Sequence, residues 1–141
     1  MTDVTLDPRL ENDCFTLGTL NGLCLLLMNN KKVPWFILVP PTDKTELYEL
    51  EAPLQEAIRQ AVCTLSRLTK ETLGAEKLNV AAIGNVVSQL HIHVVGRFAA
   101  DYCWPAPVWG APGAEPYTDT EAQDLIATLN AGLGDAFLSV P

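Results

Sequence analysis

The chain has 141 residues, 48% hydrophobic and 18% charged, with a formal net charge of −8. That length fits one domain around one core, and the composition is that of a folded chain rather than a disordered one. The acidic balance argues against polymeric nucleic acid, whose binders cluster Lys and Arg over phosphates. It still allows a small phosphorylated ligand held by Lys31, Lys32, Arg97 and main-chain N–H groups.

The opening residues, Met1 to Pro8, lack a basic stretch followed by an apolar run, so no secretory signal is expected. The longest apolar run, Leu23 to Met28, stops at Asn29-Asn30-Lys31-Lys32 and is too short to span a bilayer. Cys14, Cys24, Cys63 and Cys103 are widely spaced and form no Cys-x-x-Cys pair, which suits reduced thiols and a cytoplasmic location.

In chain order, Asp7-Pro8 reads as an N-cap with proline at the first helical position, opening a short helix from Pro8 to about Cys14. Thr19 to Met28 and Val33 to Val39 read as strands, with Asn29 to Lys32 as a hairpin turn between them. Pro40-Pro41 leaves the sheet, because proline cannot donate to a ladder. Leu54, Ile58, Ala61, Val62, Leu65 and Leu68 recur at three-and-four spacing, which predicts an amphipathic helix over Leu54 to Leu73, stopped by Gly74. Leu78 to Ile83 and Val86 to Val95 read as further strands around Gly84-Asn85. Asp101 to Pro116, with Pro105, Pro107, Pro112 and Pro116, is expected to wrap the surface without regular structure. Thr118-Asp119-Thr120-Glu121 has capping-box spacing and opens a last helix to about Leu133. These elements describe one α+β domain over residues 1–141, with an antiparallel sheet of about five strands, one long central helix and short flanking helices.

The two histidines of the chain stand one residue apart, in Ser88-Gln89-Leu90-His91-Ile92-His93-Val94-Val95. On a strand, Gln89, His91 and His93 share one face while Leu90, Ile92 and Val94 take the core face. Neutral imidazole can act as nucleophile, general base or metal ligand near pH 7. Attack on phosphorus needs one unprotonated ring nitrogen, a fixed tautomer, and donors for the phosphoryl oxygens. His-x-His also occurs in metal sites and in purely structural strands. A metal site would need a third protein ligand, and no Asp or Glu accompanies the pair locally.

The segment Gly84 to Val95 resembles the signature of the histidine triad (HIT) superfamily, His-φ-His-φ-His-φ-φ, where φ is apolar. The likeness extends over roughly residues 10–98, with 99–141 as a proline-rich tail and C-terminal helix. Gln89-Leu90-His91-Ile92-His93, Arg97 and Trp104-Pro105-Ala106-Pro107-Val108-Trp109-Gly110 are similar to a group of bacterial HIT proteins. Of two possible registers, the one that puts Gln89 at the first triad position leaves Val94-Val95 as the apolar pair. The other would require Gly96-Arg97. Gln89 therefore stands where the family has its first histidine, with His91 at the middle and His93 at the last.

The resemblance implies a HIT-like fold, a homodimer, and a small-molecule nucleotide as partner. It implies hydrolysis or nucleotidyl transfer at the α-phosphorus, through a nucleotidyl-histidine on His91, of a dinucleoside polyphosphate or nucleoside phosphoramidate. No cofactor and no resident metal are required, although a divalent ion can accompany a polyphosphate. By the same resemblance His93 contacts phosphate, Asn29 holds the ribose, Asn85 faces phosphate with Ser88 near it, and Gln89 supplies hydrogen bonds but no proton shuttle. Plainer readings stand beside these. Asn29 and Asn85 suit turns, Lys31 and Lys32 suit a solvated turn, and Arg97 suits an ion pair. Trp35 suits the core or a base pocket. Trp104 and Trp109 suit tail packing or a dimer interface. The alternative function is a nucleotide-binding module without turnover.

Overall fold

The computed structural model describes residues 4–140. In chain order it contains α1 (Pro8–Asp13), β1 (Cys14–Leu20), β2 (Leu23–Met28), β3 (Trp35–Val39), α2 (Ala52–Glu71), β4 (Lys77–Ala81), β5 (Ile92–Arg97), α3 (Asp119–Leu133) and β6 (Phe137–Ser139). The six strands form one sheet in the order β4-β5-β3-β2-β1-β6, and each recorded pairing is antiparallel. This is the expected α+β architecture with one strand more than expected. Three residues near the C-terminus, Phe137 to Ser139, return to pair with Gly18 to Leu20, so the segment after residue 99 completes the sheet as well as capping it.

Two strand assignments change. The run from Thr19 to Met28 is not one strand. It is interrupted by Asn21 (φ 51°) and Gly22 (φ 80°), a two-residue turn that lets Leu20 face Leu23. Positive φ at both central positions matches the right-handed twist of a hairpin, and Asn-Gly is the pair best able to adopt it. The preceding strand begins at Cys14, directly after α1. The expected second hairpin is also present, since Leu27 pairs with Phe36 across the connection that contains Asn29 to Lys32.

The second change concerns the histidine segment. Residues 82–91 are irregular, and β5 starts only at Ile92. The flanking strands explain this. The β3 ladder ends with Leu38 opposite Ile92, just before Pro40-Pro41, and β4 ends with Ala81 opposite His93. Upstream of Ile92, among the described residues, there is no neighbouring strand to pair with.

The helices follow their local signals. Asp7 caps α1 by accepting the Arg9 N–H at 2.9 Å. The capping box of α3 is complete, with Thr118 Oγ1 accepting from Glu121 N–H and Glu121 Oε1 accepting from Thr118 N–H. α2 starts two residues earlier than its apolar pattern, with Pro53 in the first turn, and Gly74 at φ 80° turns the chain after its end. Its buried stripe, Ile58, Ala61, Leu65 and Leu68, packs on Leu25, Leu27, Phe36, Leu38, Ile92 and Val94. Each such aliphatic side chain contributes about 1.5–3 kcal/mol when fully withdrawn from water.

Strand alternation sends Cys24, Leu26, Trp35, Ile37, Val39 and Val95 to the opposite face, where Leu10 of α1 and Val108 of the proline-rich segment cover them. His91 and His93 share that second face, since Ile92 and Val94 are committed to α2.

Gly18 marks a tight spot between β1 and β6. It has φ 152° at a register shift in β1, and a Cβ there would lie 2.0 Å from the Leu138 carbonyl oxygen. Gly18→Ala should therefore push β6 off the sheet edge and cost about 1–3 kcal/mol. Gly22→Ala, which meets nothing within 4 Å, carries only its backbone strain and should cost less. Urea unfolding midpoints of the two variants check this order.

Candidate active site

His91 sits at the end of the irregular segment, just before β5, and is 6% exposed. Its Nδ1 lies 2.6 Å from the main-chain oxygen of Gln89. A carbonyl oxygen only accepts, so Nδ1 carries the proton and Nε2 carries the lone pair. The ring is thus presented as a base or nucleophile through Nε2.

His93 follows on β5, between Ile37 of β3 and Ala81 of β4. Its ring centroid is 4.9 Å from that of His91. Trp35 Nε1 donates to His93 Nδ1 at 2.9 Å, and Trp109 packs edge-on against the same ring, at 5.3 Å between centroids. Burial, reinforced by the nearby His91, pushes the His93 pKa down to about 4.

A cavity of about 420 Å³ opens beside His91, lined among others by Ser88, Gln89, Glu46, Tyr48 and Ile83. A second cavity of about 360 Å³ adjoins it, sharing Thr45, Ser88 and Gln89 and adding Thr5, Asp7 and Lys44. His91, Gln89 and Ser88 therefore meet at one place. Asn85 lies exposed on the loop next to Gly84, which lines the first cavity.

Three sequence expectations change here. The Gln89 side chain does not join the two imidazoles in a stripe, because the backbone at 89 is not in a strand. Its Oε1 accepts the Asp7 N–H at 2.7 Å and its Nε2 donates to the Thr5 carbonyl at 2.9 Å. The residue orients His91 with its main chain and fastens the N-terminal segment with its side chain.

Asn29 lies away from the His91 cavity. It follows Leu27, which pairs with Phe36, whereas His91 precedes Ile92, which pairs with Leu38, so the two stand toward opposite ends of β3. Asn29 Oδ1 accepts the Tyr117 N–H at 2.8 Å. Arg97 is no free phosphate ligand either. It is 1% exposed and donates to Asp101, Asn79 and the Ala106 carbonyl, with Trp104 against its guanidinium at 5.5 Å. Burial drives the Asp101 carboxyl up, but Arg97 and the N–H groups of Phe98 and Cys103 outweigh it and hold the pKa at about 2.

Trp35 and Trp109 are contributors that sequence reading did not place against the histidines: Trp35 read as core or base-pocket lining, and Trp109 as tail packing or a dimer contact. The signal for Trp35 was available once the strand pairing was known. It lies two residues from Ile37, the partner of His93, and so on the same face. Trp109 gave no local signal, because only the fold of the proline-rich segment brings it to His93. Lys31 and Lys32 pair with Glu115 as part of the same covering segment. Among the described residues, no group of three or more His, Cys, Asp or Glu side chains is placed to share a metal ion.

The His93 environment links the site to stability. Unfolded, His93 has an ordinary value of 6.5, and folded it has about 4. Between these values the unfolded chain takes up a proton that the folded chain does not. Stability is therefore lost as pH falls through that window, by up to about 3 kcal/mol. The Asp101 window lies lower, between 3.8 and about 2. Urea unfolding at pH 7.5 and pH 4.5 should show this loss in the wild type and a smaller one in His93→Gln.

Comparison with known proteins bears on the same residues. The HIT domain model matches residues 9–100. The crystal structure of a histidine triad protein from Sinorhizobium meliloti is 40% identical, with a TM-score of 0.89 over 93% of this chain and 98% of that one. A histidine triad protein from Bradyrhizobium japonicum is 34% identical, with a TM-score of 0.88 over 92% and 98%. One from Marinobacter aquaeolei is 39% identical, with a TM-score of 0.87 over 92% and 95%. The search of curated proteins gave no match. With His91 just before β5 and His93 on it, its α2-backed sheet and these relatives, the chain belongs to the HIT family.

Proposed function

We propose that the protein binds a nucleotide beside His91 and hydrolyses or transfers it at the α-phosphorus. Family membership supports a nucleotide-related role in general. The observation that carries the catalytic reading is the 2.6 Å contact from His91 Nδ1 to the Gln89 carbonyl. It leaves the Nε2 lone pair to attack phosphorus, and it stabilises the cationic ring of the resulting nucleotidyl-histidine, whose remaining proton stays on Nδ1 and is donated to the carbonyl. His93 Nε2–H donates to a phosphoryl oxygen. Ser88 and the loop N–H groups around Gly84 and Asn85 complete the surroundings of the phosphate. Substrates of this type are dinucleoside polyphosphates and nucleoside phosphoramidates.

The partners we propose are the small-molecule nucleotide and a second copy of the chain. β4 supports the latter as an edge strand with Val80 exposed. The charge of −8 speaks against a nucleic-acid polymer, and among the described residues no helix is long and apolar enough to cross a membrane.

A second reading, a nucleotide-binding module without turnover, is favoured by one observation. Gln89 fills the first triad position with a non-ionisable side chain whose amide is engaged with Thr5 and Asp7.

Product chromatography with diadenosine tetraphosphate and adenosine phosphoramidate separates the two. The enzyme reading expects AMP from the wild type, unaffected by chelator, and a drop of at least about 10³-fold for His91→Ala. Nucleotide binding without AMP from either protein would establish the binding module instead.

A further inference from the structure

The Trp35 indole has a proton to donate and no lone pair to accept one, and it lies 2.9 Å from His93 Nδ1. That nitrogen must therefore be unprotonated, which puts the single proton of a neutral ring on Nε2. A doubly protonated His93 would set N–H against N–H at the same distance, so ring protonation requires the Trp35 bond to break. Trp35 is 7% exposed in the centre of the sheet and is packed against Trp109, which leaves it little room to withdraw. Among the described residues, the titratable side chain recorded against His93 is His91. From β3 the ring meets Trp35 and from the proline-rich segment it meets Trp109, neither of which titrates. The two rings thus carry opposite tautomers, one fixed by a carbonyl and one by an indole.

We propose that Trp35 is a positioning residue that holds His93 as a neutral Nε2–H donor to the phosphoryl group. On this arrangement the site acts on nucleotides whose leaving group departs as an anion without a proton, the phosphoanhydrides, in preference to amine-bearing phosphoramidates. This inference rests on the reading of His91 as the nucleophile.

In the first step the His91 Nε2 lone pair forms the P–N bond as the P–O bond to the leaving phosphate breaks. The electron pair leaves on the bridging oxygen, where a phosphate group carries it readily at neutral pH. In the second step water attacks phosphorus, the P–N bond breaks with its electron pair returning to Nε2, and the water proton passes to solvent. Expulsion of an amine would require a proton on the departing nitrogen. His93 cannot lend one while Trp35 holds it, and the Gln89 amide is neither acidic nor free.

The first test needs no substrate. Long-range ¹H–¹⁵N spectra of ¹⁵N-histidine-labelled full-length protein should show His93 unprotonated at Nδ1 and protonated at Nε2, unchanged from pH 8 to pH 5. Trp35→Phe, which keeps an aromatic ring but no donor, should show mixed tautomers and take up a proton at higher pH. Trp109→Phe, which alters the packing and not the donor, should keep the wild-type pattern and guards against a Trp35 variant that fails to fold. A wild-type His93 protonated at Nδ1 would overturn the proposal.

The second test is kinetic. The wild type should favour diadenosine tetraphosphate over adenosine phosphoramidate, and Trp35→Phe should shift that ratio toward the phosphoramidate by about 10-fold or more, mainly in kcat. A wild-type preference for the phosphoramidate, or an unchanged ratio in the variant, would overturn the leaving-group assignment. Absence of turnover on both substrates would refute the His91 reading and the leaving-group assignment with it, while the spectra would still decide the role of Trp35.

Discussion

A peptide carbonyl has no proton to give, and that constraint organises the site. The Gln89 oxygen, 2.6 Å from His91 Nδ1, decides which nitrogen of the ring faces the cavity. The constraint holds only if the main chain at Gln89 is itself held, and the structure fixes it from several directions. Downstream, Ile92 enters β5 opposite Leu38. The Gln89 side chain is tied to Thr5 and Asp7, and Arg9 donates to the Val86 carbonyl at 3.0 Å. The irregular segment before β5 therefore has fixed ends despite lacking ladder partners.

The other fixed point is Arg97, at the far end of β5. A buried ion pair is weak evidence for net stability, because desolvation of both charges offsets their attraction. Its contribution here is geometric. One guanidinium joins Asn79 on β4 to Asp101 and the Ala106 carbonyl, and so anchors the proline-rich segment where it leaves the sheet. That segment then delivers Val108 to the second core and Trp109 to His93. Charge in this protein thus shapes the cover of the histidine face rather than its chemistry. The same covering segment reaches Asn29 through the Tyr117 N–H.

What the sequence revealed divides along a physical line. Signals carried by neighbouring residues were legible: the Asp7-Pro8 helix start, the period of α2, the capping box at Thr118 and the apolar alternation that put both histidines on one face. The Asn21-Gly22 turn was also written in the sequence, but the apolar residues on both sides of it read as one strand. Signals that depend on distant partners were not legible. β6 is a strand only because Gly18 lets Leu138 approach it, and residues 86–91 look like a strand but, among the described residues, have no strand beside them. Arg97 read as an ion pair or as a phosphate ligand, and only the fold that buries it against Asp101 decides for the ion pair. Trp35 read as core or base-pocket lining, and its indole proton acquires meaning only through the register that sets Ile37 beside His93.

The glutamine at the first triad position can be understood from the same geometry. Its main chain does for His91 what any residue there could do, so the imidazole keeps its orientation whatever the side chain. The side chain, freed from the imidazole pair, closes the edge of the cavity by holding Thr5 and Asp7 across it. An imidazole could not reproduce both bonds at once, because a neutral ring offers its donor and acceptor at separate nitrogens pointing in divergent directions, whereas the amide presents them side by side. Glutamine at 89 is therefore suited to bind two backbone groups of the N-terminal segment, the Thr5 carbonyl and the Asp7 N–H. The absence of a proton shuttle at position 89 and the indole donor on His93 act in the same sense, since neither leaves the histidine face an acid to lend.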